Sequence, residues 1–240
     1  MMALTVKKLL RVAANEIGYH EKNSDANLDL KTAPNDGFGN HTKYARDLYG
    51  AGYYNGDKCG FDYCDVFVDW CFWMASGKDK KKAEDVECQT GLYGAGVGYS
   101  ARYYKAQNRF FTSNPKPGDQ IFFGSNDHTG IVEKVSGDTI VTIEGNTANG
   151  MVERKSYNIH SGWIMGYGRP KYDSETEDES EMRYEKLKDI TEKAYRPTID
   201  KLIKKGIISG KGGSGDNLIV DLGEDAVRIL VYLDRQGIFG

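Results

Sequence analysis

At 240 residues the chain has room for one sizeable core and a smaller second unit, since single domains usually run to about 100–200 residues. A formal net charge of -3, with 28% charged and 39% hydrophobic residues, gives no general field to gather nucleic acid or a membrane surface, and no run approaches the ~18 apolar residues of a membrane span. Four cysteines without C-x-x-C pairs point away from a disulfide framework or a zinc ribbon and leave buried or reactive thiols.

The opening, Met1 to Lys8, is too poor in apolar residues for an export signal, so the chain is expected to be made in a cytoplasm without one. Leu4, Leu9, Leu10, Ala13 and Ile17 recur at helical spacing, with Thr5 near the start and Gly18 at the stop, and predict a first helix over 4–17. Residues 23–40 are rich in Asn, Asp and Gly, the chemistry of a long loop that lines a site, and His41 to Tyr49 can form a short helix. Segment 64–75 is apolar on nearly every side and predicts a helix through the middle of the core, entered at Cys64 and ended by Ser76 and Gly77. The lysines at 78 and 80–82 read as a solvated loop, and Tyr99 to Phe110 as a further helix.

Behind the turn from Asn114 to Asp119 the period changes to alternating or β-branched runs at 120–123, 129–135, 139–146, 151–159 and 163–168. Helices first and a strand meander afterwards predict an α+β fold with helices on one face of a curled antiparallel sheet. Residues 171–183 carry acids without an apolar period and predict a linker between a domain over 1–170 and a small unit over 184–240. That last unit is expected to be all-α, a helix-loop-helix with Ile199, Leu202 and Ile203 on one helical face and a second apolar helix over 226–233.

A thiol works as a nucleophile when ionised, and the unpaired amides at a helix N-terminus favour the thiolate. Cys64 alone is so placed; Cys71 lies deeper in the same apolar helix, and Cys59 and Cys88 have no visible activator. A second group must take the thiol proton and return it to a leaving amine, which near neutral pH is histidine work. His20, His41 and His160 sit at polar element ends, whereas His128 follows the loop 124–127 and enters a strand, where an exposed ring can be aimed. Pairing Val135 with Thr139 sets cross-strand partners whose numbers sum to 274, which puts His128 opposite Asn146 with Glu144 diagonal on the same face. Cys64, His128 and Glu144 or Asn146 then form a constellation of the triad kind, with the Cys64 backbone N–H at the helix start helping to hold an oxyanion.

The segments Tyr63-Cys-Asp-Val-Phe-Val-Asp-Trp-Cys-Phe72, Pro117-Gly-Asp-Gln-Ile-Phe-Phe123, Asp127-His-Thr-Gly-Ile-Val132 and Ile143-Glu-Gly-Asn-Thr147 together resemble the cysteine, histidine-dependent amidohydrolase/peptidase (CHAP) family, papain-like enzymes of phage lysins and bacterial wall hydrolases. The resemblance covers roughly residues 1–170. It implies a peptidoglycan hydrolase, an N-acetylmuramoyl-L-alanine amidase or a peptide endopeptidase, with Cys64 as nucleophile, His128 as base, and Glu144 with Asn146 as the orienting pair. Tyr63, next to the nucleophile, and Trp163, at the last strand of the sheet, are read as aromatic substrate contacts. No cofactor is implied. Some relatives bind calcium just before the nucleophile, but here only Asp57 and Asp62 could serve, and hard cations want several oxygen ligands. Segments 16–23 and 40–45 resemble prophage lysins of Firmicutes, which implies action on the wall after release from the cell. The tail is similar to C-terminal modules of such lysins and faintly to S-layer-homology repeats, and would hold the wall or pair with another copy of the chain. The rival readings are a wall-binding module with an idle cysteine and a cysteine hydrolase of some other amide.

Overall fold

A computed structural model describes residues 3–89, 95–174, 183–190 and 195–240. The chain divides into two compact units, Met1–Ser174 and Glu175–Gly240. The first is α+β. Helix α1 (Val6–Glu16) starts where Thr5 accepts a hydrogen bond from the Lys8 amide, and α2 (Lys43–Gly50) where Thr42 accepts one from Ala45. Helix α3 (Cys64–Ala75) is buried at every position except Met74, and Tyr63, Phe67, Trp70 and Phe72 pack there with Leu9, Tyr44, Ile131 and Ile143. A helix apolar on nearly every side, with only Asp65 and Asp69 polar and both buried, has nowhere to sit but the centre, and α1, α2 and the sheet all pack against it.

The lysine run that reads as a loop is helical: Asp79 caps α4 (Lys80–Val86), and Lys81 pairs with Asp85 one turn on. Lys82 reaches Asp173 at 2.5 Å. Helix α5 spans Val97–Ala106, four residues short of the expected end at Phe110, because β1 (Phe110–Phe111) takes up the chain. The sheet adds β2 (Gln120–Phe123), β3 (His128–Ser136), β4 (Thr139–Glu144), β5 (Glu153–Asn158) and β6 (Ile164–Gly168) in the order β1-β6-β2-β3-β4-β5. Strands β2 to β5 make the expected meander, and β6 returns to β2.

The β3–β4 register differs from the expected one at the hairpin and agrees with it at the far end. Ser136 pairs with Thr139 across the two-residue turn Gly137-Asp138, so Val135 faces Ile140 and not Thr139. An irregularity between Val132 and Lys134 then absorbs one residue, and Val132↔Thr142 and Ile131↔Ile143 restore the sum of 274. The turn wins because Gly137 supplies the positive φ, +56°, that a tight hairpin needs.

Two boundaries move. Residues 171–173 belong to the first unit: the Lys171 amide donates to Val86 (2.8 Å), the Tyr172 hydroxyl to Gly118 (2.6 Å), and Asp173 accepts from the Leu4 amide (2.7 Å). Of the expected linker, 175–182 lie outside the described residues. The second unit is not all-α. Strand β7 (Arg183–Lys186) pairs antiparallel with β8 (Ile219–Gly223); α6 (Arg196–Lys204) lies between them in the chain and α7 (Glu224–Arg235) follows β8. Its own core gathers Tyr184, Leu187, Ile199, Val220, Val227 and Val231. A β-branched pair, Ile219-Val220, with only Val220 buried, is too short a run to stand out beside the glycine-rich loop before it.

Candidate active site

Cys64 is the first residue of α3, and no side chain caps that end, so the leading amides of the helix are left for whatever lies in front of them. The sulfur sits against the Asp65 and Thr129 backbone N–H groups, which favour its anion. They do not prevail. Burial pushes the thiol up to about 12, and the Asp65 and Asp62 carboxylates add to the rise. The expectation that the helix start lowers the Cys64 thiol is therefore not met: at 5% exposure, loss of hydration outweighs the two backbone N–H groups.

Asp65 escaped the sequence reading, although an acid in the first turn of a buried helix was a signal. Its carboxylate accepts from the Gly96 amide (2.8 Å), the Ser100 hydroxyl (2.9 Å) and the Gln120 amide nitrogen (3.0 Å). Gln120 also donates to Thr129 (3.1 Å), whose hydroxyl donates to the Ile121 carbonyl (2.7 Å). This chain of bonds ties the leading end of α3 to α5 and to strands β2 and β3.

His128 opens β3 behind the turn 124–127, where Gly124 has φ +58° and a Cβ would lie 2.3 Å from Asp127 Oδ2. Its Nε2 lies 2.9 Å from Glu144 Oε2, and its ring stacks on Phe123 with centroids 5.9 Å apart. Glu144 is buried, and its other contacts are the Thr142 and Tyr157 hydroxyls, the latter at 3.1 Å. With Nε2 turned to a carboxylate, Nδ1 is the nitrogen left to exchange a proton with a nucleophile. Among the described residues no hydrogen bond joins the Cys64 sulfur to this ring; the thiol meets the strand at Thr129, one residue along. Catalytic hydrogen bonds of this kind commonly close only around substrate.

Of the expected orienting pair, Glu144 makes the contact and Asn146 does not. Asn146 takes up φ +55° just past the end of β4 and its amide donates to Asp62 at 3.2 Å. Tyr63 is likewise corrected as a substrate contact: at 0% exposure it lies in the core against Tyr44 and Gly145. Trp163 is 45% exposed and stacks on Phe123 at 4.4 Å, on the ring that also carries His128. Asp57 Oδ1 accepts from the Cys59 amide at 2.9 Å, and Asp62 Oδ1 from the Asn146 amide at 3.2 Å.

Residues 50–146 match the sequence profile of the CHAP domain, a window that contains Cys64, His128, Glu144 and Asn146. No curated protein matches the chain. Among solved structures it is similar to Ly7917, at 16% identity and a TM-score of 0.41 over 69% of this chain and 62% of that one, and that protein has also been solved with the hydrolysing product of MDP. It is similar too to the peptidoglycan hydrolase RipB of Mycobacterium tuberculosis, at 13% identity and a TM-score of 0.36, over 70% of this chain and 65% of RipB. The chain thus spans less than two thirds of the length of either structure.

Proposed function

We propose that the chain is a peptidoglycan hydrolase of the endolysin type that cleaves a wall amide through a thioester on Cys64. The observation that carries this reading is the His128–Glu144 pair, 2.9 Å apart, with His128 one residue from the Thr129 amide that meets the Cys64 sulfur, inside the stretch that matches a CHAP domain. Because the resting thiol holds its proton, attack and deprotonation go together. Sγ bonds to the amide carbonyl carbon as its proton passes to His128 Nδ1, and Glu144 stabilises the resulting imidazolium. The Cys64 backbone N–H faces the oxyanion. His128 then protonates the departing amine as the C–N bond breaks, and water, deprotonated by the same ring, hydrolyses the thioester and returns the proton to sulfur.

The wall supplies two amide classes, the muramoyl–L-alanine bond and the peptide bonds of stem or cross-bridge. Mass spectrometry of released muropeptides tells them apart. In the second unit, Lys188, Arg196, Lys201, Lys204 and Lys205 line one groove together with Asp200, and Arg196 and Lys201 are paired there with Asp200, Asp216 and Asp234. No helix among the described residues is long and apolar enough to cross a membrane.

The decisive experiment is clearing of Gram-positive walls by the full chain beside its Cys64→Ala variant. Clearing by the first alone supports the proposal, and equal clearing by both ends it. Should neither clear while Cys64→Ala still sediments with sacculi, the chain is a binding module with an idle cysteine, the reading that the raised thiol favours.

A further inference from the structure

A second cluster of chemically able side chains lies outside this site. Asp25, His41 and Cys59 come from three separate stretches of the 20–63 region, and one ligand atom from each lies within 4.8 Å of the other two. Among the described residues no other set of three His, Cys, Asp or Glu side chains approaches so closely. His41 Nδ1 meets Asp25 Oδ1 at 2.7 Å, and the Cys59 sulfur rests 3.8 Å from the Thr42 carbonyl.

The backbone around two of the three is held in place without help from them. His41 and Lys22 exchange both backbone hydrogen bonds (2.9 and 3.1 Å), and Lys22 is itself buried, its ammonium tied to the His20 carbonyl and Asp36. The Gly60 amide donates to the Asn40 carbonyl (3.1 Å), which links the loop of Cys59 to the loop of His41, and Gly60 has φ +82°, where a Cβ would lie 4.0 Å from His41 Nε2. A thiol and an imidazole fixed side by side, with a carboxylate over them, are donors of the kind preorganised metal sites use.

We propose that Asp25, His41 and Cys59 bind a borderline-soft divalent transition ion of the zinc class. Donor chemistry selects it: thiolate and imidazole suit zinc and its neighbours and offer nothing to calcium or magnesium, which take oxygen. Tetrahedral zinc with S, N and O ligands at about 2.0–2.3 Å needs ligand atoms roughly 3–4 Å apart, so only small rotamer changes are required. Three protein ligands leave a fourth position for water, and Asp25 is exposed and His41 partly open to solvent. On binding, the metal–sulfur bond replaces the S–H bond of Cys59, and that proton leaves to the buffer. The ion closes the loop that runs from Cys59 into α3, five residues before the proposed nucleophile. Binding there is independent of whether Cys64 cleaves anything.

Cobalt titration of the chelator-stripped full chain tests this. The expected result is one equivalent of Co2+ giving a thiolate-to-cobalt charge-transfer band with tetrahedral d–d bands, displaced by Zn2+. Because Cys64 and His128 could also capture an ion, the titration is repeated in Cys64→Ala, where the band must persist, and in Cys59→Ser and His41→Gln, where it must vanish. Zinc at a hundredfold excess over its Kd should raise Tm of the wild-type chain by about 5–10 °C and leave either ligand variant unmoved. No thiolate band with the wild-type chain, a band that survives Cys59→Ser or His41→Gln, or one lost in Cys64→Ala overturns the proposal. If one ligand variant fails to fold, the other carries the comparison, since His41 and Cys59 are both partly exposed and Cys59 packs only against the edge of the core.

Discussion

Glu144 is an acceptor with all its partners in hand: an imidazole and two hydroxyls meet one buried carboxylate. Replacing it by glutamine keeps the shape and one acceptor but removes the charge that stabilises an imidazolium, so Glu144→Gln should lower kcat by ~100-fold or more with Tm little changed. Asn146→Ala should stay within a few-fold of wild type, because its amide is spent on Asp62; steady-state hydrolysis of a soluble muropeptide separates the two. The thiol gives a second expectation. With Cys64 raised to about 12, the thiolate fraction at pH 7 is small, and alkylation of that residue, followed by peptide mapping, should be slow at neutral pH and climb well above pH 9. An inflection below pH 7 would instead reveal a resting ion pair with His128. At this scale the sequence was informative about which residues to watch, since a cysteine at the mouth of an apolar helix and a histidine at a strand entry are local patterns. It could not say where Asn146 points, because its partner Asp62 lies 84 positions away in a loop.

Between elements, the site is held by two close approaches that only a missing side chain permits. A Cβ on Gly145 would lie 2.7 Å from Phe67 Cβ and 3.1 Å from Tyr63 Cε2, so this glycine lets the end of β4 press against α3. Gly130 occupies the space beside Glu144, where a Cβ would meet Cγ at 2.5 Å. Alanine at either position forces movement of the kind that costs about 1–3 kcal/mol in a packed core. The consequences should differ: Gly145→Ala lowers Tm by wedging helix from sheet, whereas Gly130→Ala shifts the carboxylate off His128 and lowers kcat more than stability. Thermal melts beside kinetics on the same preparations check both. Helix α1 and the meander were legible from period, α3 from its unbroken apolar run, and the pairing at the Ile131 end of β3 from the strand pattern. The irregularity after Val132 was not, because the hairpin's turn geometry and the apolar pairing farther along prefer registers one residue apart, and only the folded sheet reconciles them. Helix α4 was hidden for a different reason: its lysines mask the two residues, Ala83 and Val86, that it buries.

Each of the two units has apolar clusters of its own. The first unit buries Asp69 and Glu87 together, with the Tyr54 hydroxyl on Asp69 (2.5 Å), the Tyr53 hydroxyl on Glu87 (2.9 Å) and the Gln89 amide on Asp69 (2.9 Å). Burial, and then mutual repulsion with neighbouring acids, raises both carboxyls well above the usual range. A raised folded pKa means the folded state holds its proton more tightly than the unfolded one. The stabilisation is complete below the unfolded value of ~4 and is lost as pH rises through the folded value. Acidification from neutral should therefore raise Tm of this unit. The gain ends near pH ~4, below which the unfolded chain takes up protons that carboxylates held low in the fold refuse, such as Asp36 beside Lys22 and Glu153, drawn down to about 2 chiefly by Lys155. The second unit, at under ~70 residues, has a small core and is marginal by scaling alone. Calorimetry of the full chain should accordingly resolve two transitions, the larger moving up as pH falls from 8 to 5 and flattening in Asp69→Asn, which cannot ionise. A single transition at all pH values would mean that the two cores melt as one, and a wild-type slope surviving in Asp69→Asn would place the proton uptake elsewhere.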